Sequence, residues 1–337
     1  MTTQTQPPGV TLFLTDADVR LVFDWAEAAQ ALRLAYGRAA DGQMFPSRTM
    51  ARGDGLWLRT LSGIAPDGSV MGAKLIAASM KAKAVSYLIP LFDQSTTALS
   101  ALIDGNAITG FRTAATSAVA ADFLVPPGPL RVAAIGSGFE AKAHIRALQS
   151  LRPLERVVVF SPRASSRAGF IAALADLSIS IEQANSAAEA VEGANLILCA
   201  ARSRDESPTL RGEWLTPGSS IISIGSTLPE QRELDSEAIR RADLIVADMP
   251  MEVANDTGDM LAAKADGVSF ADKLIGLDQL ITGSRKGRTH PNQILIYKSV
   301  GGALQDLTVA AMCVQRAKSA GIGTRLPVSI TPVGKGR

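Results

Sequence analysis

The chain has 337 residues, 47% of them apolar and 20% charged, with 34 Lys and Arg against 32 Asp and Glu, a formal net charge of +2. That composition excludes a disordered chain, and a balance so close to neutral argues against nucleic acid as a partner, because tracking a phosphate backbone needs a concentrated basic face. A chain this long makes roughly two domains and buries about 75% of its unfolded surface without a staple; the two cysteines, Cys199 and Cys313, cannot alone make a zinc site or a disulfide framework and point to a reducing, cytoplasmic setting, and the two histidines, His144 and His290, limit any mechanism that needs one.

Met1 to Gly9 is polar with two prolines and lacks the apolar core of an export signal. No apolar run approaches the roughly 18 residues of a membrane helix, so no membrane partner is expected. Thr15 and Asp16 precede an apolar-periodic run, and Asp24 caps a second helix over Trp25 to Ala40. Strands follow at Leu56 to Leu61, Val70 to Ala78, Ala84 to Phe92 and Ala98 to Ile103, the last two joined by the turn Asp93-Gln94-Ser95-Thr96. Strands in a row imply a hairpin-built sheet.

Ile108 to Leu124 then reads as an Ala-rich helix, ended by the breaker Val125-Pro126-Pro127-Gly128-Pro129, where we set a domain boundary. Beyond it, strands at Leu130 to Ile135, Arg156 to Phe160, Leu196 to Ala200, Ser219 to Ile224, Leu244 to Ala247 and Ile294 to Tyr297 are interspersed with helices at Glu140 to Ser150, Ser165 to Leu177 and Ser186 to Glu192. This βα alternation predicts a parallel sheet. A last helix runs from Leu304 to Ala320.

The segment Ile135-Gly136-Ser137-Gly138-Phe139-Glu140-Ala141 joins a strand to a helix start as a GxGxxA turn. Gly136 permits the turn, Gly138 the close approach of a pyrophosphate, and Ala141 close helix–strand packing, while the helix N-terminus offers free N–H groups to phosphates. The next strand ends in Phe160-Ser161-Pro162-Arg163 and continues to Arg167 without the acid that would hold a ribose diol; Glu155 lies at the strand's other end. Ser161, Arg163 and Arg167 suit a 2′-phosphate, which favours NADP(H) with NAD(H) still open.

Three cations stand out in the first part of the chain. Lys74 sits in an apolar strand, Arg112 near the start of an otherwise uncharged helix, and Arg48 ahead of both. A charge in apolar surroundings needs a partner: a bound carboxylate would serve all three, as would an ordinary salt bridge.

The series Arg112-Thr113-Ala114-Ala115-Thr116-Ser117-Ala118, Gly136-Ser137-Gly138, Ile224-Gly225-Ser226 with Glu233-Leu234-Asp235, and Lys298-Ser299-Val300-Gly301 with Asp306 resembles the ornithine cyclodeaminase/mu-crystallin family, in the family's order, from about residue 10 to about residue 325. The resemblance implies an α/β chain in which a central Rossmann-type, doubly wound parallel sheet, residues 127–302, is flanked by an α+β substrate-binding and dimerisation domain built from both termini, residues 1–126 with 303–337. It implies a homodimer. It also implies that Lys74, Arg112 and Arg48 hold a substrate carboxylate, that Lys74 polarises the reacting centre or shuttles a proton, that Thr113 lies near the cofactor phosphates, and that Ser299, Val300 and Gly301 lie near the nicotinamide.

Three departures bear on the chemistry. Cyclodeaminases of the family carry an Asp after the Ile-Gly-x stretch as the base for ring closure; here Thr227 stands there and cannot be a base at neutral pH, and Glu230 is three residues too far. Glu140 replaces a common Gln, and Gly302 a usual Ile or Val, which would widen the pocket over the nicotinamide. The expected activity is therefore NAD(P)H-dependent reduction of a small imino acid, Δ1-pyrroline-2-carboxylate or Δ1-piperideine-2-carboxylate, to the L-amino acid. The alternatives are a cyclodeaminase with bound NAD, an L-amino acid dehydrogenase of the alanine or arginine kind, and a non-catalytic, crystallin-like protein that binds NADPH or another small ligand.

The remaining conspicuous residues have plainer readings. His144 is expected on the helix surface or beside the phosphates, and His290 in an exposed loop whose neighbours Arg285, Lys286 and Arg288 are solvated. Cys199 and Cys313 are expected in the core. Asp248 and Asp306 are candidates for a supporting role beside the site.

Overall fold

A computed structural model describes residues 10–203, 205–327 and 329–334; the N-terminal segment discussed above lies outside them. The chain opens with β1 (Leu12–Leu14), α1 (Asp16–Val22) and α2 (Trp25–Tyr36), then runs through β2 (Thr49–Gly53), β3 (Leu56–Ile64), β4 (Val70–Ser79), β5 (Ala84–Asp93) and β6 (Leu99–Asp104) into α3 (Asn106–Leu124). Next come β7 (Leu130–Ile135), α4 (Phe139–Leu151), β8 (Leu154–Phe160), α5 (Ala164–Ala173), β9 (Ser180–Gln183), α6 (Ala187–Val191), β10 (Leu196–Cys199) and β11 (Ser220–Ser223). The chain continues through α7 (Ser236–Arg241), β12 (Leu244–Ala247), α8 (Pro250–Asp256), α9 (Gly258–Ala265), β13 (Leu274–Gly276), α10 (Leu277–Ile281) and β14 (Leu295–Lys298), and ends with α11 (Ala303–Ala320) and β15 (Thr324–Arg325). It divides into two compact units, Met1–Arg112 with Gly302–Arg337, and Thr113–Gly301.

In the first unit the strands form one sheet in the order β15-β1-β6-β5-β4-β3-β2. The expected hairpins are present: Asp93 Oδ1 accepts from the amides and hydroxyls of Ser95 and Thr96, which closes the β5–β6 turn. Register puts Leu61 opposite Lys74 and Arg59 opposite Ile76, so these four share one face. α11 packs across β3, β4 and β5 on that face, with Ala303 against Leu61 and Ile76. The opposite face carries Leu58 and Leu88, 47% and 38% exposed, beside half-buried Leu75. α2 stops at Tyr36, four residues before the expected Ala40, with Gly37 as its C-cap.

The second unit is built on an all-parallel sheet in the order β13-β12-β14-β11-β10-β7-β8-β9. Leaving β7, the chain winds outward through β8 and β9, then returns to β10 on the other flank of β7. That reversal is the switch point where α/β sheets bind ligands at the carboxyl ends of their strands. The division between units falls inside α3 rather than at the Val125–Pro129 breaker. Past Arg112 nearly every residue of this helix is buried, and its last carbonyl, of Leu124, accepts from Ser220 and Arg288 of the second unit. The apolar, β-branched strands β10, β11 and β12 are buried on both faces, as an all-parallel sheet requires. The architecture is the α/β class expected.

Candidate active site

Within the first unit, Lys74 on β4 and Arg112 on α3 converge on one carboxylate. Asp306 Oδ1, in the first turns of α11, accepts from Lys74 Nζ at 2.8 Å and Arg112 Nε at 2.8 Å. Arg112 Nη1 also reaches Gln305 Oε1 at 2.7 Å, and Gln305 Nε2 reaches Tyr36 Oη at 2.9 Å. All five side chains are buried. Asp306 thus partners both cations from within the protein. Burial, reinforced by the neighbouring Arg112 charge, lowers the Lys74 amine from its ordinary value to about 8, although Asp306 opposes the shift. Arg59, one strand over on the same face and stacked 5.3 Å from the Trp57 ring, adds to that positive field. Arg48 immediately precedes β2, whose Thr49 pairs with Thr60, and is half-buried. Asp306 was a candidate only for a supporting role, and Gln305, Tyr36 and Arg59 went unread; their common signal is a polar residue on an otherwise apolar helix or strand face.

Within the second unit, Gly136 follows β7 at φ 115°, a backbone state that L side chains rarely adopt, and a Cβ there would lie 2.5 Å from the carbonyl oxygen of Ala200. Its amide bonds the carbonyl of Phe160 at 2.9 Å, which ties the turn to the end of β8. Ser137 lies in the turn, and Gly138 is the N-cap of α4, with no side chain bonding its first amides. Phe139, Glu140 and Ala141 form the first turn of α4, and helix starts of this kind favour anions. Ser161 follows β8. Arg163 precedes α5 and is exposed, its Nε 3.2 Å from Ser166 Oγ, whereas Arg167 is held by the Ser161 carbonyl at 2.6 Å and by Gln183. Thr113 is half-buried at the start of the second unit's share of α3.

The stretch after β14 is fixed by one carboxylate: Asp248 accepts from Ser299 Oγ at 2.6 Å, Val300 N at 3.0 Å and Gly301 N at 2.8 Å. Asp248 thereby fixes the residues that the family resemblance implies near a nicotinamide. Thr227 bonds Gln231 Oε1 through both its amide and its hydroxyl.

Two of the plainer readings need correction. His144 is not on the surface: it is fully buried, with Nε2 3.0 Å from Ser117 Oγ and Nδ1 2.7 Å from the Glu140 carbonyl, and burial lowers its pKa to about 4. Arg288 is half-buried rather than fully solvated, donating to the carbonyls of Leu124, Gly218 and Pro291 and to Ser220 Oγ. Cys199 and Cys313 are buried, with thiols that burial pushes well above the ordinary range and to about 12, respectively. Neither offers a thiolate nucleophile.

The ornithine cyclodeaminase/mu-crystallin family profile matches residues 71–321. The chain is 34% identical over 231 residues to the ketimine reductase mu-crystallin of Mus musculus, covering 68% of this chain and 69% of that protein. It is 26% identical over 305 residues to the Δ1-pyrroline-2-carboxylate reductase of Paracoccus denitrificans, covering 89% and 95%. Among solved structures, it is similar to the Δ1-pyrroline-2-carboxylate reductase of Thermococcus litoralis in complex with NADH and L-proline, with a TM-score of 0.87 at 26% identity, covering 94% of this chain and 100% of that one.

Proposed function

The chain belongs to the ornithine cyclodeaminase/mu-crystallin family, and from that premise we propose that it is an NAD(P)H-dependent reductase that converts a small imino acid, cyclic Δ1-pyrroline-2-carboxylate or Δ1-piperideine-2-carboxylate, to the L-amino acid. The observation that carries the reading is the buried Lys74 ammonium, held with Arg112 on Asp306 and tuned to about 8. A lysine so tuned is protonated at neutral pH yet close enough to its pKa to give the proton up, as a general acid must be. The relatives named above, one of them solved with NADH and L-proline, support the same chemistry.

The second unit fits a dinucleotide: the Gly136 cradle admits no side chain, and α4 starts directly after the glycine turn, where a helix N-terminus favours a pyrophosphate. A bound nicotinamide supplies a hydride from C4. Arg112 and Arg48 orient the substrate carboxylate, and Lys74 delivers a proton to the imine nitrogen. Fixed orientation of this kind can contribute on the order of 7–11 kcal/mol in favourable cases. Arg163 and Ser161, with no acid among them, support a preference for NADP(H) over NAD(H). Thr227, spent on Gln231 and lacking a carboxylate, speaks against the cyclodeaminase alternative.

The apolar outer face of the first unit's sheet, around Leu58, Leu75 and Leu88, supports a homodimer, since a face of this kind is normally covered. A cytoplasmic setting, with both thiols reduced, belongs to the same reading. The test is spectrophotometric. NADPH and NADH oxidation is followed with preformed cyclic imines and with 2-oxo acid–amine mixtures, alongside an ammonia assay with ornithine. Steady oxidation with a cyclic imine is expected. No oxidation with any imine, or ammonia release from ornithine without net cofactor change, would overturn the proposal.

A further inference from the structure

A buried charged network in the second unit has no part in the chemistry proposed above. Glu233, Asp259 and Lys298 are each fully buried. Lys298 Nζ, at the end of β14, lies 2.8 Å from Asp259 Oδ2 and donates to Ser223 Oγ at 2.9 Å. Ser223 passes the link on, donating to Glu233 Oε2 at 2.7 Å. The amides of Glu233 and Leu234 donate to Asp259 Oδ1 at 2.7 and 3.1 Å, which fixes the backbone that carries Glu233.

The Glu233 carboxylate does something more specific. Oε1 accepts from the amide of Ala201, just past β10, at 3.1 Å, and Oε2 from the amide of Gly225, just past β11, at 2.8 Å. The approach is so close that a Cβ on Gly225 would lie 2.4 Å from Oε1. Ala200 and Ala201 in turn back the glycine turn, since a Cβ on Gly136 would meet the Ala200 carbonyl and, at 3.2 Å, the Ala201 methyl. β10 and β7 are neighbours across the switch point. One carboxylate therefore sets two strand tips, and through one of them the wall against which the glycine turn rests.

We propose that Glu233 is a positioning residue for the dinucleotide: its carboxylate fixes the tips of β10 and β11 beside the glycine turn, and Lys298, through Ser223 and Asp259, fixes that carboxylate. This rests on the reading of the second unit as an NAD(P)H site. The groups that face Glu233 are Cys199 on β10, Ser223 on β11, Asp259 on α9 and Lys298 on β14. Burial raises the Glu233 carboxyl to about 7, against the pull of Lys298 and of the Ser223 and Gly225 donors. Ionised, it accepts all three donors; protonated, one oxygen becomes a donor facing donors. Dinucleotide affinity should therefore weaken as pH falls through neutrality.

The experiment is a binding titration of the full chain with NADPH and with NADH, by calorimetry, from about pH 6 to about pH 8.5. Wild type is expected to bind several-fold more weakly at the acid end. Glu233→Gln turns an amide donor toward Ala201, Gly225 or Ser223, and should bind about tenfold more weakly with a flat pH dependence. Its dinucleotide KM should rise while its imine KM stays put, a split that general destabilisation would not produce. Should Glu233→Gln fail to fold, Ser223→Ala, which deletes only one link, is expected to weaken binding by a smaller factor and to flatten the profile in part. Tight, pH-independent binding by wild type, together with wild-type affinity in either variant, overturns the inference alone. Failure of wild type to bind either nucleotide overturns the NAD(P)H reading and this inference with it.

Discussion

Lys74 and Asp306 stand 232 positions apart in the chain, yet Nζ and Oδ1 meet at 2.8 Å with both side chains shut off from solvent. Asp306 is the element that raises the Lys74 pKa, while burial and Arg112 lower it to about 8. If protonated Lys74 donates the proton, imine reduction should decline as pH rises through about 8, and amino-acid oxidation should climb through the same pH. Asp306→Asn removes the one opposing influence, so the Lys74 pKa falls further and the descending limb of the reduction profile moves to lower pH. Because it leaves a buried charge uncompensated, the substitution should also cost about 3–5 kcal/mol of stability in urea unfolding. A limb left in place in this variant would detach Lys74 from proton transfer.

Arg112→Ala separates the roles of the two units. The guanidinium donates to Asp306 and Gln305 of the first unit. The variant should lose imine turnover, or raise the imine KM at least about tenfold, while NADPH affinity changes little. An unchanged kcat/KM would remove Arg112 from the carboxylate site.

His144 gives the fold a pH dependence of its own. Its ring is buried between Ser117 Oγ and the Glu140 carbonyl, and its pKa of about 4 lies below the ordinary 6.5. The unfolded chain therefore binds the extra proton more readily, so the related stability is complete above about 6.5 and is lost as pH falls toward 4. The difference amounts to on the order of 3 kcal/mol. Urea unfolding between these limits should show a steeper loss in wild type than in His144→Gln. Parallel curves would assign the acid sensitivity elsewhere.

The outer face of the first unit's sheet predicts assembly. Replacing Leu58 and Leu88 with Asp puts two charges where an apolar face would be buried, and sedimentation equilibrium should report monomers for the variant and dimers for wild type. A wild-type monomer, or a variant that still pairs, removes this face from the interface.

What could be read from the residues alone follows from which interactions are local. The GxGxxA turn, the βα alternation and the hairpin at Asp93 depend on neighbours in sequence, and each sits where expected. β1, at three residues, is too short to show an alternation, and β2, Thr-Met-Ala-Arg-Gly, is a mostly exposed edge strand without an apolar pattern. The convergence of Lys74 and Arg112 on Asp306 depends on sheet register and on the return of α11 to β4, which no spacing encodes. His144 was misplaced because α4 buries residues on most of its faces, so a polar residue gave no sign of pointing outward. Arg288 gives no sign of its burial in the sequence because nearly all its partners are backbone carbonyls, which every residue has. The Glu233 clamp is hidden for the same reason, since two of its three donors are backbone amides.

Cofactor choice turns on two arginines that the structure treats differently. Arg167 already bonds the Ser161 carbonyl and Gln183, so it shapes the loop after β8 and ties it to β9. Arg163 is exposed and bonded through Nε to Ser166, which leaves its terminal nitrogens available to grip a phosphate in a fork. The 2′-phosphate is the only difference between NADPH and NADH, so a residue that reads it must discriminate between them. Arg163→Ala should weaken NADPH by about tenfold and NADH hardly at all. Arg167→Ala should weaken both through the displaced loop, with the larger loss for NADPH. The double variant should lose more NADPH affinity than NADH affinity. Equal losses for the two nucleotides in Arg163→Ala would mean that no 2′-phosphate is read at this strand end, and the preference would then pass to NADH.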